Sequence, residues 1–230
     1  MFIRSRTPEV RRAIGLLALA AAAVPASATV VYQNNFELES GLSEWSHTLV
    51  DTTPIGARNF LGQFVNDTVT LSLDSLPAEH TELRITFDLY IIGTWDGNEL
   101  PGPDVWQLRV DGNTVVDTTF AVGDETSWRR QSYPVIDGSG GLFQNRQGSM
   151  EDDTLGYTWN GFNRDSVFHL DIIIPHSGDT ATLDFLAMGL QTALGDESWG
   201  IDNVLVQAPA PGALAALSMG GVMVGRRRRR

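Results

Sequence analysis

Apolar and polar residues alternate with a period of two along most of the chain, and no stretch between its two ends shows the helical period. The clearest case is residues 83–91 (LRITFDLYI), in which every second side chain is apolar. Such alternation is typical of a strand with one buried face and one face in water. The same pattern predicts further strands at 29–36, 68–73, 105–110, 114–120, 167–174, 181–187 and 200–206.

Short turn signals separate these strands. Asp111-Gly112 lies between two of them, and Asp-Gly is a favoured pair for a two-residue hairpin turn. Eight short strands without a helix predict an all-β fold, a two-sheet antiparallel β-sandwich of the jelly-roll type. Residues 123–163 are rich in glycine and polar residues, and we expect them to form a long loop region over one end of the sandwich.

The N-terminus has the three parts of a secretory signal peptide. Residues 1–12 carry four arginines, residues 13–24 (AIGLLALAAAAV) are apolar, and Ala26 and Ala28 supply the small residues of a cleavage site. Such a short apolar stretch does not span a membrane as a helix. We expect residues 1–28 to engage the export machinery as a helical signal peptide and to be removed, and residues 29–207 to form the folded domain.

The C-terminus combines a proline motif, an apolar stretch and a basic block. Pro209 and Pro211 precede residues 212–225 (GALAALSMGGVMVG), and residues 226–230 are all arginine. As a short apolar helix, residues 212–225 would reach about 21 Å, less than the roughly 30 Å of a bilayer hydrocarbon core. The segment can therefore insert into the membrane only transiently, with its arginines on the cytoplasmic side.

This order of segments over residues 208–230 resembles the PEP-CTERM sorting signals of Gram-negative bacteria. The resemblance implies that an exosortase-type membrane peptidase processes the tail, and that the protein reaches the cell surface or an exopolysaccharide matrix. The sequence departs from the family motif at Ala210, where the family has glutamate. A simple tail anchor is the alternative.

Charge and cysteine content exclude several classes of function. Residues 29–207 hold 7 of the 16 basic residues and 27 of the 28 acidic residues, and the chain has no lysine. So acidic a domain repels nucleic acid and anionic membranes, and it suits an extracellular location, a salty habitat or divalent cations as partners. The alternative is that the charge serves solubility alone. The chain has no cysteine, which excludes disulfides, thiol catalysis and cysteine-based metal centres.

The domain begins with Asn34-Asn35-Phe36-Glu37 and ends with residues 198–204 (SWGIDNV). These two motifs are similar to the first and last strands of jelly-roll carbohydrate-binding modules and related lectin-like domains. The resemblance implies that the terminal strands lie side by side and that Glu37 and Asp202 hold a structural calcium ion. The alternative is that both residues are ordinary acids at the edge of a sheet.

A second group of oxygen ligands, Asp96, Asn98 and Asp104, surrounds a turn between Trp95 and Trp106. Carboxylate and amide oxygens are the ligands that calcium prefers, and a neighbouring tryptophan can stack on a sugar ring. The alternative is a turn capped by its own polar residues, with Trp106 in the core.

Trp128, Tyr157 and Trp159 all lie in the loop-like region 123–163. Their rings are candidates for exposed stacking surfaces that bind a polysaccharide. The alternative is that they pack this region onto the sandwich.

The chain carries neither a nucleophile elbow nor a zinc-binding helix motif, and its four histidines lack metal-ligand spacing. We therefore expect a surface or matrix protein that contacts extracellular polysaccharide and is not an enzyme. One alternative is a purely structural surface protein, in which all six tryptophans are packed. The other is a polysaccharide hydrolase, which needs two carboxylates facing each other across a cleft.

Overall fold

A computed structural model describes residues 28–38, 40–123 and 128–209, which form fifteen β-strands and no helix. The strands are β1 (Thr29–Asn34), β2 (Val50–Thr52), β3 (Asn59–Phe64), β4 (Thr68–Asp74), β5 (Glu82–Gly93), β6 (Val105–Val110), β7 (Asn113–Thr119), β8 (Arg130–Gln131), β9 (Phe143–Gln144), β10 (Glu151–Asp152), β11 (Thr158–Trp159), β12 (Phe162–Asn163), β13 (Asp165–Pro175), β14 (Thr180–Met188) and β15 (Glu197–Ala208).

Most of the predicted signal peptide and sorting tail, including Ala26 and Pro211, lies outside the described residues. At the borders, Ala28 is exposed and Pro209 is half-buried. Within the ranges described, the chain contains no apolar helix long enough to cross a membrane.

The strands form two main antiparallel sheets. The larger has the order β10-β13-β5-β15-β3-β2, with β1 also paired to β15, and the smaller has the order β4-β14-β6-β7. Two ribbons, β8–β9 and β11–β12, stand apart from them. The predicted all-β fold of antiparallel sheets is confirmed.

Aromatic side chains join the two sheets across a shared core. The ring of Phe87 in the larger sheet lies 5.4 Å from that of Phe185 in the smaller, and the Trp199 ring lies 6.2 Å from that of Trp106. These centroid distances are those of favourable edge-to-face pairs. Trp106 is fully buried, so its ring is part of the core and is not available to a ligand.

The first and last strands lie side by side, as the resemblance to carbohydrate-binding modules implies. β1 pairs with β15 from Thr29 opposite Ala208 to Asn34 opposite Val204. A β-bulge interrupts the pairing of β15 with β5 between Asp202 and Leu205. Because a bulge inserts one unpaired residue, it shifts the alternation of side chains along the strand.

The predicted hairpin at Asp111-Gly112 is confirmed, since these two residues join β6 to β7. Both have positive φ, 49° and 76°. This is the backbone that a two-residue hairpin turn of type I′ requires.

Region 123–163 differs from the long loop that we expected, because it contains β8 to β12. Part of it also covers the outer face of the larger sheet. There Leu155 packs with Tyr90, Ile92, Phe60 and Val167 in a second, smaller core. The polar sequence of the region hides this role, because Leu155 is its one residue in this second core, with the half-buried Tyr157 packed beside it.

Candidate functional site

An open groove of about 760 Å³ lies between the β9–β10 segment and the β11–β12 ribbon. We call it the polar groove. Its side chains are amides, guanidinium groups, carboxylates and one aromatic ring, from Gln144, Asn145, Gln147, Asn163, Arg146, Arg164, Asp152, Asp153 and Phe162. Apart from the ring of Phe162, these side chains are polar, and their two arginines and two aspartates balance in charge, in contrast to the acidic domain around them.

Phe162 supplies the aromatic surface of the polar groove, and 63% of the residue is exposed. The guanidinium carbon of Arg164 lies 5.5 Å from its ring centroid. Trp159 is opposite Phe162 in the β11–β12 ribbon, and opposed residues of an antiparallel pair point to the same face. The half-buried Trp159 therefore lies on the same face of the ribbon as Phe162.

The two carboxylates of the polar groove are both occupied by neighbouring donors. Arg146 donates to both oxygens of Asp153, at 2.8 and 2.7 Å. Asp152 accepts hydrogen bonds from the hydroxyls of Ser149, at 2.9 Å, and Ser166, at 2.6 Å. These contacts hold the lining side chains in fixed orientations.

The other two aromatic candidates lie in different surroundings. Trp128 is 62% exposed, and its carbonyl oxygen accepts a hydrogen bond from Arg130, which also donates to the amide oxygen of Gln144 in the polar groove. Tyr157 is half-buried and packs against the second core, and burial raises the pKa of its hydroxyl. Arg130 therefore links the backbone of Trp128 to the polar groove, whereas Tyr157 packs region 123–163 onto the larger sheet.

The structure brings Asp96 and Asp104 together and adds Glu197, from the start of β15. Ligand oxygens of the three carboxylates all lie within 4.8 Å of one another, and all three residues are buried. We call them the buried carboxylate cluster. Among the described residues, they are the one such group of three potential metal ligands.

Burial disfavours the charged form of each carboxyl in this cluster. It raises the pKa of Asp104 to about 7 and that of Glu197 to about 8, and it also raises the pKa of Asp96. Arg129 forms an ion pair with Asp96 and opposes the shift there.

Asn98, the third residue of the predicted group, uses its side chain elsewhere. Its amide oxygen accepts a hydrogen bond from the Ser132 hydroxyl at 3.1 Å, and its amide nitrogen donates to the Gly141 carbonyl at 2.7 Å. Asn98 thus ties the loop between β5 and β6 to region 123–163.

Glu37 and Asp202 lie near each other beside the terminal strands. Burial raises the pKa of Asp202 to about 6, and the negative charges of Asp88 and Glu37 add to this shift. Asp202 accepts a hydrogen bond from the Tyr90 hydroxyl at 2.9 Å, and the exposed Glu37 accepts two from Asn59, both at 3.3 Å. The pair therefore offers one buried and one exposed carboxylate.

The chain is similar to several solved structures at low sequence identity. The chain is similar to latent PorU from Porphyromonas gingivalis (TM-score 0.43, 12% identity, 84% of this chain and 14% of PorU). It is also similar to a family 35 carbohydrate-binding module from Clostridium thermocellum (TM-score 0.36, 10% identity, 79% of this chain and 98% of the module). A third similar structure is the carbohydrate-binding module TmCBM27, described for specific mannan recognition (TM-score 0.37, 13% identity, 80% of this chain and 99% of the module).

No protein-family model matches the chain, and no curated protein sequence matches it. The TM-scores are low, and the chain spans only a small part of PorU.

Sequence reasoning missed two important residues, Phe162 and Glu197. Phe162 lies in a stretch without periodicity, where exposure has no sequence signature. Glu197 is far along the chain from Asp96 and Asp104, and only the pairing of β15 with β5 brings it to them. Its position directly before the SWGIDNV motif was the only available signal.

Proposed function

We propose that this chain is an exported jelly-roll protein of the bacterial cell surface or extracellular matrix that binds polysaccharide in the polar groove. The observation that carries the proposal is the exposed ring of Phe162 among amide, guanidinium and carboxylate side chains. Aromatic faces pack against the apolar faces of sugar rings, while planar polar groups hydrogen-bond to their hydroxyls. The polar groove offers both kinds of contact.

An open polar groove suits a long, hydrated ligand better than a small apolar one. Ligand pockets for small molecules are mostly concave and lined by apolar side chains, whereas here four amides line the polar groove. The domain is strongly acidic, so an acidic polymer is repelled at long range. The ligand we propose is a neutral polysaccharide.

Binding is better supported than hydrolysis. A glycosidase needs one carboxylic acid that protonates the leaving group and one free carboxylate. In the polar groove, Arg146 engages both oxygens of Asp153, and two serine hydroxyls engage Asp152. A purely structural role predicts that all six tryptophans are packed, and the exposed Trp128 departs from this pattern.

Export and surface display are the part of the proposal that rests on the two ends of the chain. Residues 1–28 would act as the signal peptide, and an exosortase-type peptidase would process residues 208–230 after their transient insertion into the membrane. The order of proline motif, apolar stretch and arginine block supports this fate.

A calcium ion at Glu37 and Asp202 remains part of the proposal. At a calcium concentration about 100 times its Kd, an ion bound only by the folded state adds about 2.7 kcal/mol of stability. This raises the Tm by about 5 °C or more. In thermal melts with calcium and then with excess chelator, Glu37→Gln is expected to reduce this rise. An unchanged rise in Glu37→Gln would remove the ion from this pair.

Native gel electrophoresis in gels containing soluble polysaccharides tests the proposed function. The wild-type chain is expected to be retarded more by neutral than by acidic polymers, and Phe162→Ala to weaken binding about tenfold, because one stacking contact is lost. Ile173→Ala is the control, since Ile173 is also an exposed apolar residue. It lies about 26 Å along β13 from Asp165, which directly follows Arg164 of the polar groove.

Two results of these gels contradict the proposal. One is that no polysaccharide of a broad panel retards the wild-type chain. The other is that Phe162→Ala and Ile173→Ala are retarded as strongly as the wild type, which places any binding outside the polar groove.

A further inference from the structure

The buried carboxylate cluster has the dimensions of a cation site. Asp96 and Asp104 come from the loop between β5 and β6, and Glu197 comes from the first residue of β15. Their nearest ligand oxygens lie within 4.8 Å of one another. A cation that binds each oxygen at about 2.3–2.6 Å spans such a distance from the centre of the cluster.

Two buried carboxylate oxygens of the cluster accept no hydrogen bond from the described residues, Oδ1 of Asp96, which is ion-paired with Arg129, and Oδ1 of Asp104. Oδ1 of Asp104 is fully buried and has no hydrogen-bond partner in the part of the chain that is described, although Oδ2 of the same residue accepts a hydrogen bond from the Asp96 backbone nitrogen. A buried acceptor that folding leaves without a partner destabilises the folded state, because it has lost its hydrogen bonds to water. A native structure rarely leaves such a group without a proton, an ion or a water.

The charges of the cluster also call for a cation. Three buried carboxylates face one guanidinium, which pairs with Asp96. Isolated charges are very costly to bury, and buried carboxylates are therefore paired or coordinate metals. With all three carboxylates ionised and Arg129 offsetting one, two negative charges remain, which a single divalent cation neutralises.

We propose that Asp96, Asp104 and Glu197 bind one Ca²⁺ ion that links the loop between β5 and β6 to the start of β15. All-oxygen ligands select a hard cation. Mg²⁺ gives up its water reluctantly and usually keeps several water ligands, and the cluster, at 0–1% exposure, has little room for them. This site is separate from the polar groove and from the Glu37–Asp202 pair, so it stands or falls independently of polysaccharide binding.

Crystals of the wild-type chain grown with Ca²⁺ test the site without any mutation. We expect an anomalous difference peak between the three carboxylates. Its absence, in a crystal that shows this cluster ordered, overturns the proposal. A second set of crystals is grown with Mn²⁺, which stands in for Mg²⁺. A peak in the Mn²⁺ crystals without a peak in the Ca²⁺ crystals overturns the choice of ion.

Calorimetric titration of the chelator-treated chain gives the number of bound ions. Replacing a neighbour of a metal ligand commonly costs 10–100-fold in affinity, so replacing a ligand should cost at least about tenfold. Glu197→Gln and Asp104→Asn are each expected to bind one Ca²⁺ fewer than the wild type at a fixed free Ca²⁺ concentration. Glu79→Gln is the matched control, because Glu79 is an exposed glutamate outside both proposed calcium sites, and it should bind as many Ca²⁺ ions as the wild type.

A folded Glu197→Gln variant that binds as many Ca²⁺ ions as the wild type, with the same affinity, overturns the proposal. If this variant does not fold, Asp104→Asn and the crystals of the wild-type chain decide the matter. Terbium adds a readout of position, because Trp95, next to Asp96 in the chain, can sensitise its luminescence. We expect Ca²⁺ to displace terbium from the wild type and the sensitised signal to be lost in Glu197→Gln.

Discussion

Replacing Trp199 by alanine is expected to lower the free energy of unfolding by about 3–5 kcal/mol. Trp199 is fully buried, and its ring lies 5.1 Å from that of Phe64 and 6.2 Å from that of Trp106. Its indole nitrogen also donates a hydrogen bond to the Val65 carbonyl at 2.8 Å. The substitution therefore leaves a large cavity between the sheets and an unpaired acceptor.

Trp128→Ala is the matched control, since the same atoms are removed from a residue that is 62% exposed. It is expected to change stability by less than about 0.5 kcal/mol. Urea unfolding followed by circular dichroism measures both values. Equal losses of stability in the two variants would mean that the core does not lie where the structure places it.

The second large effect is expected from Gly93→Ala. Gly93, at the end of β5, has a φ of +91°, and a Cβ atom there would lie 1.8 Å from the carbonyl oxygen of Asp196. The left-handed backbone costs a residue with a side chain about 1–2 kcal/mol, and overpacking adds about 1–3 kcal/mol. We expect a loss of about 3 kcal/mol or more in urea unfolding.

Gly112→Ala separates the two causes. Gly112 also has a positive φ, +76°, but nothing lies within 4 Å of its Cβ position. The Gly112→Ala variant should therefore lose only the stability that the left-handed backbone costs, about 1 kcal/mol. If Gly93→Ala is no more harmful than Gly112→Ala, then β5 and the segment before β15 do not approach as closely as described.

The sequence predicted the long strands well because their periodicity records burial directly. Residues 105–110 coincide with β6, and 83–91 lie within β5. Near Asp202 the alternation alone allows two phases, one with Ile201 and one with Val204 facing the core. The bulge after Asp202 resolves this ambiguity, because it lets both side chains face the core. A bulge is a backbone feature without a reliable sequence signal at this position.

The strands that the sequence did not predict lack a polar face or are too short to show one. β3 (NFLGQF) is buried at Phe60, Leu61 and Gly62 in succession, because the second core covers its outer face. β8 to β12 are two residues each, and tertiary contacts decide whether such short segments pair.

The candidate sites show the same limit. Asp96 and Asp104 were recognisable as oxygen ligands near a turn, but their convergence with Glu197 depends on which strands pair. Trp128 and Trp159 were recognisable as aromatic residues in a loop-like region. Their different exposure, like that of Phe162, depends on how this region folds over the sheet.

Amide chemical shifts of the isotope-labelled chain, titrated with oligosaccharides cut from a polysaccharide that retards it, test the central claim most directly. The account predicts that the largest shift changes cluster at Gln144, Asn145, Phe162 and Asn163, and that they shrink in Phe162→Ala. The account would be contradicted if the largest shift changes fell on the smaller sheet or at the terminal strands while the amide shifts of the polar groove stayed the same.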